Sequence, residues 1–323
     1  VFFVVSGFLI TKTIAQGRGG LFKPDIRDFY VRRIGRILPL LGLSIAAGIG
    51  AIFFIPASAP HLSYCLGGQQ SRYEPLFWVS IPFFSFNWFR AFISRHDYGL
   101  HWDVLWSLSV EEQFYLFYPY CLRKIGSKNG LYLFLGSWVL LGLAVRLGGV
   151  LFFPDEKYWN LGSFANFDDI AMGCLLYLVR ERHGKELGRE KWLCRFLCLS
   201  GLFMLLGAYG ATPTDLDYGR RIFGNTLVGG GVFLLLLGGL QLDGFKSGFW
   251  APLRWPGKLS YGAYLLHPLV LFFLWPVLSG FSWLPAFLLF SGAVSGIAWV
   301  SYRSFEVPIN HWVRSRFKGA ARD

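Results

Sequence analysis

Eight apolar runs of about twenty residues govern what this chain can fold into; they lie near 38–56, 104–122, 131–153, 163–180, 195–211, 221–242, 259–278 and 284–303. At a rise of about 1.5 Å per residue, each is long enough to cross roughly 30 Å of bilayer hydrocarbon. Lipid offers no partner to a backbone N–H or C=O, so runs of this length must satisfy themselves as helices. The fold class is therefore all-α, a polytopic transmembrane helix bundle. With 54% hydrophobic and only 15% charged residues, the composition leaves no room for a soluble domain, and 1–323 is expected to be one membrane domain. A further apolar stretch, Val1 to Thr11, covers about half a bilayer and opens without Met. The first span is accordingly expected to be truncated, giving about nine spans.

The run from Leu76 to Phe92 contains Pro82, Asn87 and Arg90, and could be another span or an interfacial or re-entrant segment. Basic residues decide the point, because they collect on the cytoplasmic side. With 76–92 kept outside, one side holds seven in 11–36, three in 123–130, six in 180–195, three in 243–258 and five in 303–323. The other side holds six, and Arg146 lies within a helix. The net charge of +12 thus reads as topology, and nucleic acid is not an expected partner. Membrane lipids are, and Trp78, Trp88, Trp102, Trp159 and Trp250 stand near run ends, where rings settle at interfaces or simply pack. Of the five cysteines, Cys65, Cys121, Cys174, Cys194 and Cys198, no pair has metal-site spacing, and Cys194 and Cys198 share a helix face as packing residues.

Three stretches can carry chemistry. In WSLSVEEQFYLFYP, 106–119, two carboxylates sit inside an aromatic apolar run. Burying an ionisable group in a span costs about 2.5–3.5 kcal/mol on insertion scales, which makes it a candidate site with a partner to be found. Glu111 and Tyr115 fall on one helix face, and Glu112 turns about 100° away. Glu111 could orient a histidine or hold a proton, or it could form a structural ion pair with Arg146. The second stretch, FYVRRIGRILP at 29–39, if helical, puts Arg33 and Arg36 on one face at the cytoplasmic mouth beside Arg32. Guanidinium forks there suit phosphates, although basic residues at such a helix start also anchor topology. The third, GKLSYGAYLLHP at 257–268, embeds His267 in a helix just before Pro268. His101 precedes the Glu111 helix as a further candidate or a solvated loop residue, while Asp168 and Asp169 of NFDDIAMG open a helix as N-capping acids. No GxSxG, Walker, HExxH or CxxC pattern occurs, and no metal site or tightly bound cofactor is expected.

VFFVVSGFLI at 1–10, RRIGRILP at 32–39, WSLSVEEQFYL at 106–116, SYGAYLLHP at 260–268 and FEVP at 305–308 follow one another in the order of the membrane-bound acyltransferase 3 family, which the chain resembles over essentially its whole length. The resemblance implies a ten-helix integral membrane enzyme, here with its first helix incomplete. Its implied reaction moves an acyl group, often acetyl, from cytoplasmic acyl-CoA to a hydroxyl of a cell-surface glycan or glycolipid, as in O-antigen and capsule O-acetylation. It implies the bacterial inner membrane as location, and acyl-CoA as a donor substrate.

On residues, the resemblance implies an RxxR pair at Arg33 and Arg36, the motif serine at Ser6 and the motif glutamate at Glu111. The family's catalytic histidine is implied upstream of Val1, so the sequence is expected to be part of a longer active protein unless His101 or His267 substitutes. Asn166 stands where the family often has Arg. Arg146, Tyr115 and Asp168 remain candidates for substrate contact or structural pairing. Two other functions fit the buried charges: a glycolipid transporter or flippase, in which Glu111 and Arg146 would line an ion or proton pathway, and a non-catalytic scaffold.

Overall fold

The computed structural model describes residues 1–54, 75–93, 99–153, 162–210, 218–242 and 254–319; Cys65, Arg72, Arg95, Lys157, Trp159 and Trp250 lie outside the described residues. Among those described there is no strand. The long helices are α1 (Phe2–Ala15), α2 (Ile26–Phe54), α3 (Leu105–Ile125), α4 (Lys128–Phe152), α5 (Phe167–Leu187), α6 (Lys191–Gly210), α7 (Tyr218–Gly239), α8 (Arg254–Leu278), α9 (Trp283–Ser301) and α10 (Val307–Gly319). Each of the eight expected runs is found as a helix. The largest difference in extent is at α2, which begins twelve residues before the apolar run because its basic first turns are packed. A side chain at Gly35 would crowd Val313 and Asn310 of α10, and the Tyr261 hydroxyl of α8 donates to the Ile37 carbonyl at 2.9 Å.

Six stretches are long and apolar enough to cross a membrane: most of α2, α4, α6, α7, most of α8, and a continuous run from α9 into α10. α3 and α5 have the length, 21 residues each, but carry the acid pairs Glu111–Glu112 and Asp168–Asp169. Glu111, Asp168 and Asp169 are buried within the protein. α5 is buried without a break from Phe167 to Cys174 and packs against α1, α4 and α7. The 76–92 run is broken into Pro75–Ser80, Phe86–Trp88 and a π turn at Phe89–Ile93, in keeping with an interfacial segment and not a continuous span.

The chain divides into two compact units interleaved in sequence. The first comprises Val1–Asp25, Phe84–Ser94 and Ser107–Trp250. Its closest crossing is α1 on α5, where a Cβ on Gly7 would overlap the Ile170 carbonyl and one on Gly173 would overlap that of Val4. Val4, Phe8, Met172, Leu176, Val232 and Leu237 form the apolar core beside that crossing.

The second unit comprises Ile26–Phe83, Arg95–Trp106 and Ala251–Asp323. Within it a short helix, Leu100–Asp103, carries Trp102 into an edge-to-face cluster with Phe77 and Trp78. Trp102 is fully buried, so of its two expected roles, packing is the one it has.

Candidate active site

In the first unit the VFFVVSGFLI and WSLSVEEQFYL motifs meet at one carboxylate. The Ser6 hydroxyl on α1 and the Tyr115 hydroxyl on α3 both donate to Glu111 Oε1, and the two hydroxyls also contact each other. All three side chains are buried. Tyr115 reaches Glu111 because residues four apart share a helix face. Ser6 reaches it because the adjacent Gly7 lets α1 lie against α5 while Ser6 turns toward α3. About one turn further along α1, Thr11 repeats the bridge with the Tyr118 hydroxyl at 3.1 Å. Glu111 is therefore held in a fixed direction by two hydroxyl donors. Glu112 is half-buried.

Next along α3, Gln113 ties down the broken segment before the π turn. Its amide donates to the Phe84 carbonyl at 2.5 Å and to Asn87 Oδ1 at 2.9 Å, and its oxygen accepts from Trp88 Nε1 at 2.9 Å and from Ser163. Asn87 in turn donates to Ser163 at 2.9 Å. Sequence reasoning missed this network. A Gln following two acids in an apolar run, with an Asn in a Pro-broken run, was the available signal.

The carboxylate paired with Arg146 is Asp168, not Glu111. Arg146 Nη2 donates to Asp168 Oδ2 at 2.6 Å and to Thr226 at 2.5 Å, Nε donates to the Ile222 carbonyl at 2.8 Å, and Nη1 donates to the Ala165 carbonyl. One guanidinium thus joins α4, α5 and α7. Asp168 does not act as an N-cap; α5 has Asn166 at its N-cap, with no side-chain capping bond. Asn166 spends its amide on the Gly162 carbonyl and accepts from Asn225.

In the second unit, His101 is not a solvated loop residue. It is 1% exposed, its Nε2 donates to the Ser44 carbonyl at 3.2 Å, and Nδ1 has no partner among the described residues. A Cβ at Gly48 would overlap the ring, so a glycine on α2 is what admits it. His101 stands in the connection ahead of α3, where burial pushes its pKa down to about 4 against the pull of the Ser44 carbonyl. His267 is near enough to add to that effect and donates from Nδ1 to the Tyr264 carbonyl at 2.7 Å. The two histidines therefore share a neighbourhood in this unit, while Glu111 belongs to the other.

Arg32, Arg33 and Arg36 lie on α2. Arg32 pairs with Asp28 one turn back at 2.5 Å. Arg36 is exposed and lies in the electrostatic neighbourhood of Glu306 from the FEVP motif.

A buried carboxylate aimed by two hydroxyls can orient a base or steady a proton in transfer, and an exposed arginine such as Arg36 can hold phosphate. A family model described as an acyltransferase domain matches residues 1–303. The Bacillus subtilis protein YrhL is 28% identical over 289 residues, 83% of this chain and 43% of its own length. The peptidoglycan O-acetyltransferase OatA of Listeria monocytogenes is 27% identical over 306 residues, covering 86% of this chain and 45% of that protein. The O-acetyltransferase OatA of Staphylococcus aureus is 25% identical over 324 residues, covering 95% and 51%. The chain thus spans about half the length of the curated relatives it matches. No solved structure matches it.

Proposed function

Because the chain belongs to the acyltransferase 3 family, we propose that it transfers an acetyl group from cytoplasmic acetyl-CoA to a hydroxyl of a cell-wall glycan outside the cytoplasmic membrane. Peptidoglycan, on which the Listeria relative acts, is the favoured acceptor class. The observation that carries the reading is the meeting of Ser6 and Tyr115 at Glu111, which joins two family motifs 105 residues apart at one buried acid.

The chemistry comes from what an ester exchange requires. The acceptor oxygen attacks the thioester carbonyl carbon, a C–O bond forms, the C–S bond breaks, and the CoA thiolate leaves. The hydroxyl must lose its proton as that bond forms, and a base oriented by a carboxylate does this efficiently. Glu111 has the orienting role, with Ser6 and Tyr115 as positioning residues that fix its direction. Arg33 and Arg36 hold the CoA phosphates, a role for which Arg32, tied to Asp28, is less available.

The test is transfer of labelled acetyl from acetyl-CoA to peptidoglycan fragments by membranes containing the full-length protein. Glu111→Gln should abolish it. Tyr115→Phe, which removes one hydrogen bond to a charged group worth about 1.5–3 kcal/mol, should lower kcat roughly tenfold or more and leave KM for acetyl-CoA unchanged. Arg36→Ala should instead raise that KM. Movement of an unmodified glycolipid without acetyl-CoA, with Glu111→Gln impairing it, would replace this reading with a transporter.

A further inference from the structure

Acyl exchange across the membrane moves a proton as well as an acyl group, so the assignment of a proton site rests on the acyl-transfer reading. Acetyl-S-CoA inside and a hydroxyl outside become HS-CoA inside and an acetyl ester outside. For each acyl group that leaves, the hydroxyl's proton ends on a cytoplasmic thiol. The bundle therefore needs interior groups able to hold that proton along the way.

Asp169 has the properties of such a group. It stands in the first turn of α5, at the outer end by the distribution of basic residues, and is 6% exposed. Its Oδ1 is buried with no hydrogen-bond partner among the described residues. The same oxygen lies so close to α7 that a Cβ on Gly229 would overlap it. The charges facing it are Asp168 on its own helix and Arg146 from α4. α7 faces the carboxyl with Gly229, which brings no charge. Arg146 is committed to Asp168, Thr226 and two carbonyls. Asp168 takes the guanidinium, Asp169 beside it has no paired cation among the described residues, and surplus negative charge in an apolar bundle calls for a proton.

The position also connects to Glu111. Gly7 packs on the carbonyl of Ile170, the residue after Asp169, and its neighbour Ser6 donates to Glu111. We propose that Asp169 is a proton-binding site whose carboxyl carries the proton that the acyl exchange returns inward. Its O–H bond breaks as the proton moves on toward the Glu111 side and re-forms with a proton released by the acceptor hydroxyl. Nothing is oxidised or reduced.

Dicyclohexylcarbodiimide adds to protonated carboxyls in apolar surroundings and leaves a stable N-acylurea. Treating the full chain in lipid, without donor or acceptor, and mapping peptides by mass spectrometry should find the adduct on Asp169 at mildly acid pH. The adduct should fade as pH rises, and Asp168 should stay unmodified. No adduct on Asp169 at any pH, or an adduct on Asp168 instead, overturns the proposal.

Asp169→Asn keeps shape and neutrality but cannot pass a proton. With melting behaviour retained, it should lose about tenfold or more in acetyl transfer at unchanged KM, on the scale of a lost acid–base group. Unchanged turnover overturns the carrier role. A protein that is labelled at Asp169 yet transfers no acetyl from acetyl-CoA keeps the proton site and sinks the acyl-transfer reading alone.

Discussion

His101 illustrates at the scale of one residue what burial does to an ionisable group. Its imidazole falls from an ordinary pKa of 6.5 to about 4, chiefly because burial disfavours the charged ring, with His267 pushing the same way. In the unfolded chain the ring takes up a proton near 6.5, while the folded ring resists until about 4. Stability from the buried neutral ring is therefore complete above 6.5 and is lost as pH falls toward 4, by about 3 kcal/mol in all. Thermal unfolding in detergent should show a midpoint falling through that window, and His101→Phe should flatten the fall; an equally steep fall in the variant would contradict it. None of this could be seen in the sequence, where His101 sits in a polar-looking stretch, HDYGLHWD. What buries it is Gly48, 53 residues away, and no local spacing reports a long-range contact. The Glu111–Tyr115 pair was legible for the opposite reason: four residues along a helix is a local rule. Ser6 was visible only through its motif.

At the scale of elements, Arg146 is a polar fastening of α4, α5 and α7. The planar guanidinium serves a carboxylate, a hydroxyl and two carbonyls on diverging lines, an arrangement an ammonium cannot copy. Arg146→Lys should therefore destabilise the first unit, and Arg146→Ala, which strands Asp168 as an uncompensated buried charge, should cost about 3–5 kcal/mol. Detergent melting curves would measure both; a Lys variant as stable as the parent would mean the fork is dispensable. The helices themselves were legible because bilayer thickness dictates the length of an apolar run. Their polar content is harder to read. The acids of α5 resemble capping residues in sequence, and only the approach of α4 shows that Asp168 answers Arg146 instead. The early start of α2 was likewise hidden, since a basic amphipathic turn looks like a loop until α10 is found against Gly35.

For the whole molecule, the proposed transfer from a cytoplasmic donor to an outer acceptor requires a defined topology, and topology rests on charge. Along α4 to α7 the chain alternates, with basic loops before α4 and between α5 and α6, and less basic connections after α4 and before α7. Short loops rich in Lys and Arg stay cytoplasmic because translocating them is unfavourable, and they orient the helices they flank. Arg189, exposed between α5 and α6, should then be cytoplasmic, and Tyr218, exposed at the head of α7, should face outward. With the five native cysteines replaced by serine, a membrane-impermeant maleimide added to intact cells should label Tyr218→Cys and spare Arg189→Cys until the membrane is opened. Reversed labelling would put the Asp169 end of α5 inside, remove the path from an outer hydroxyl to a cytoplasmic thiol, and leave the acids of α3 and α5 without the proton traffic that gives them a function.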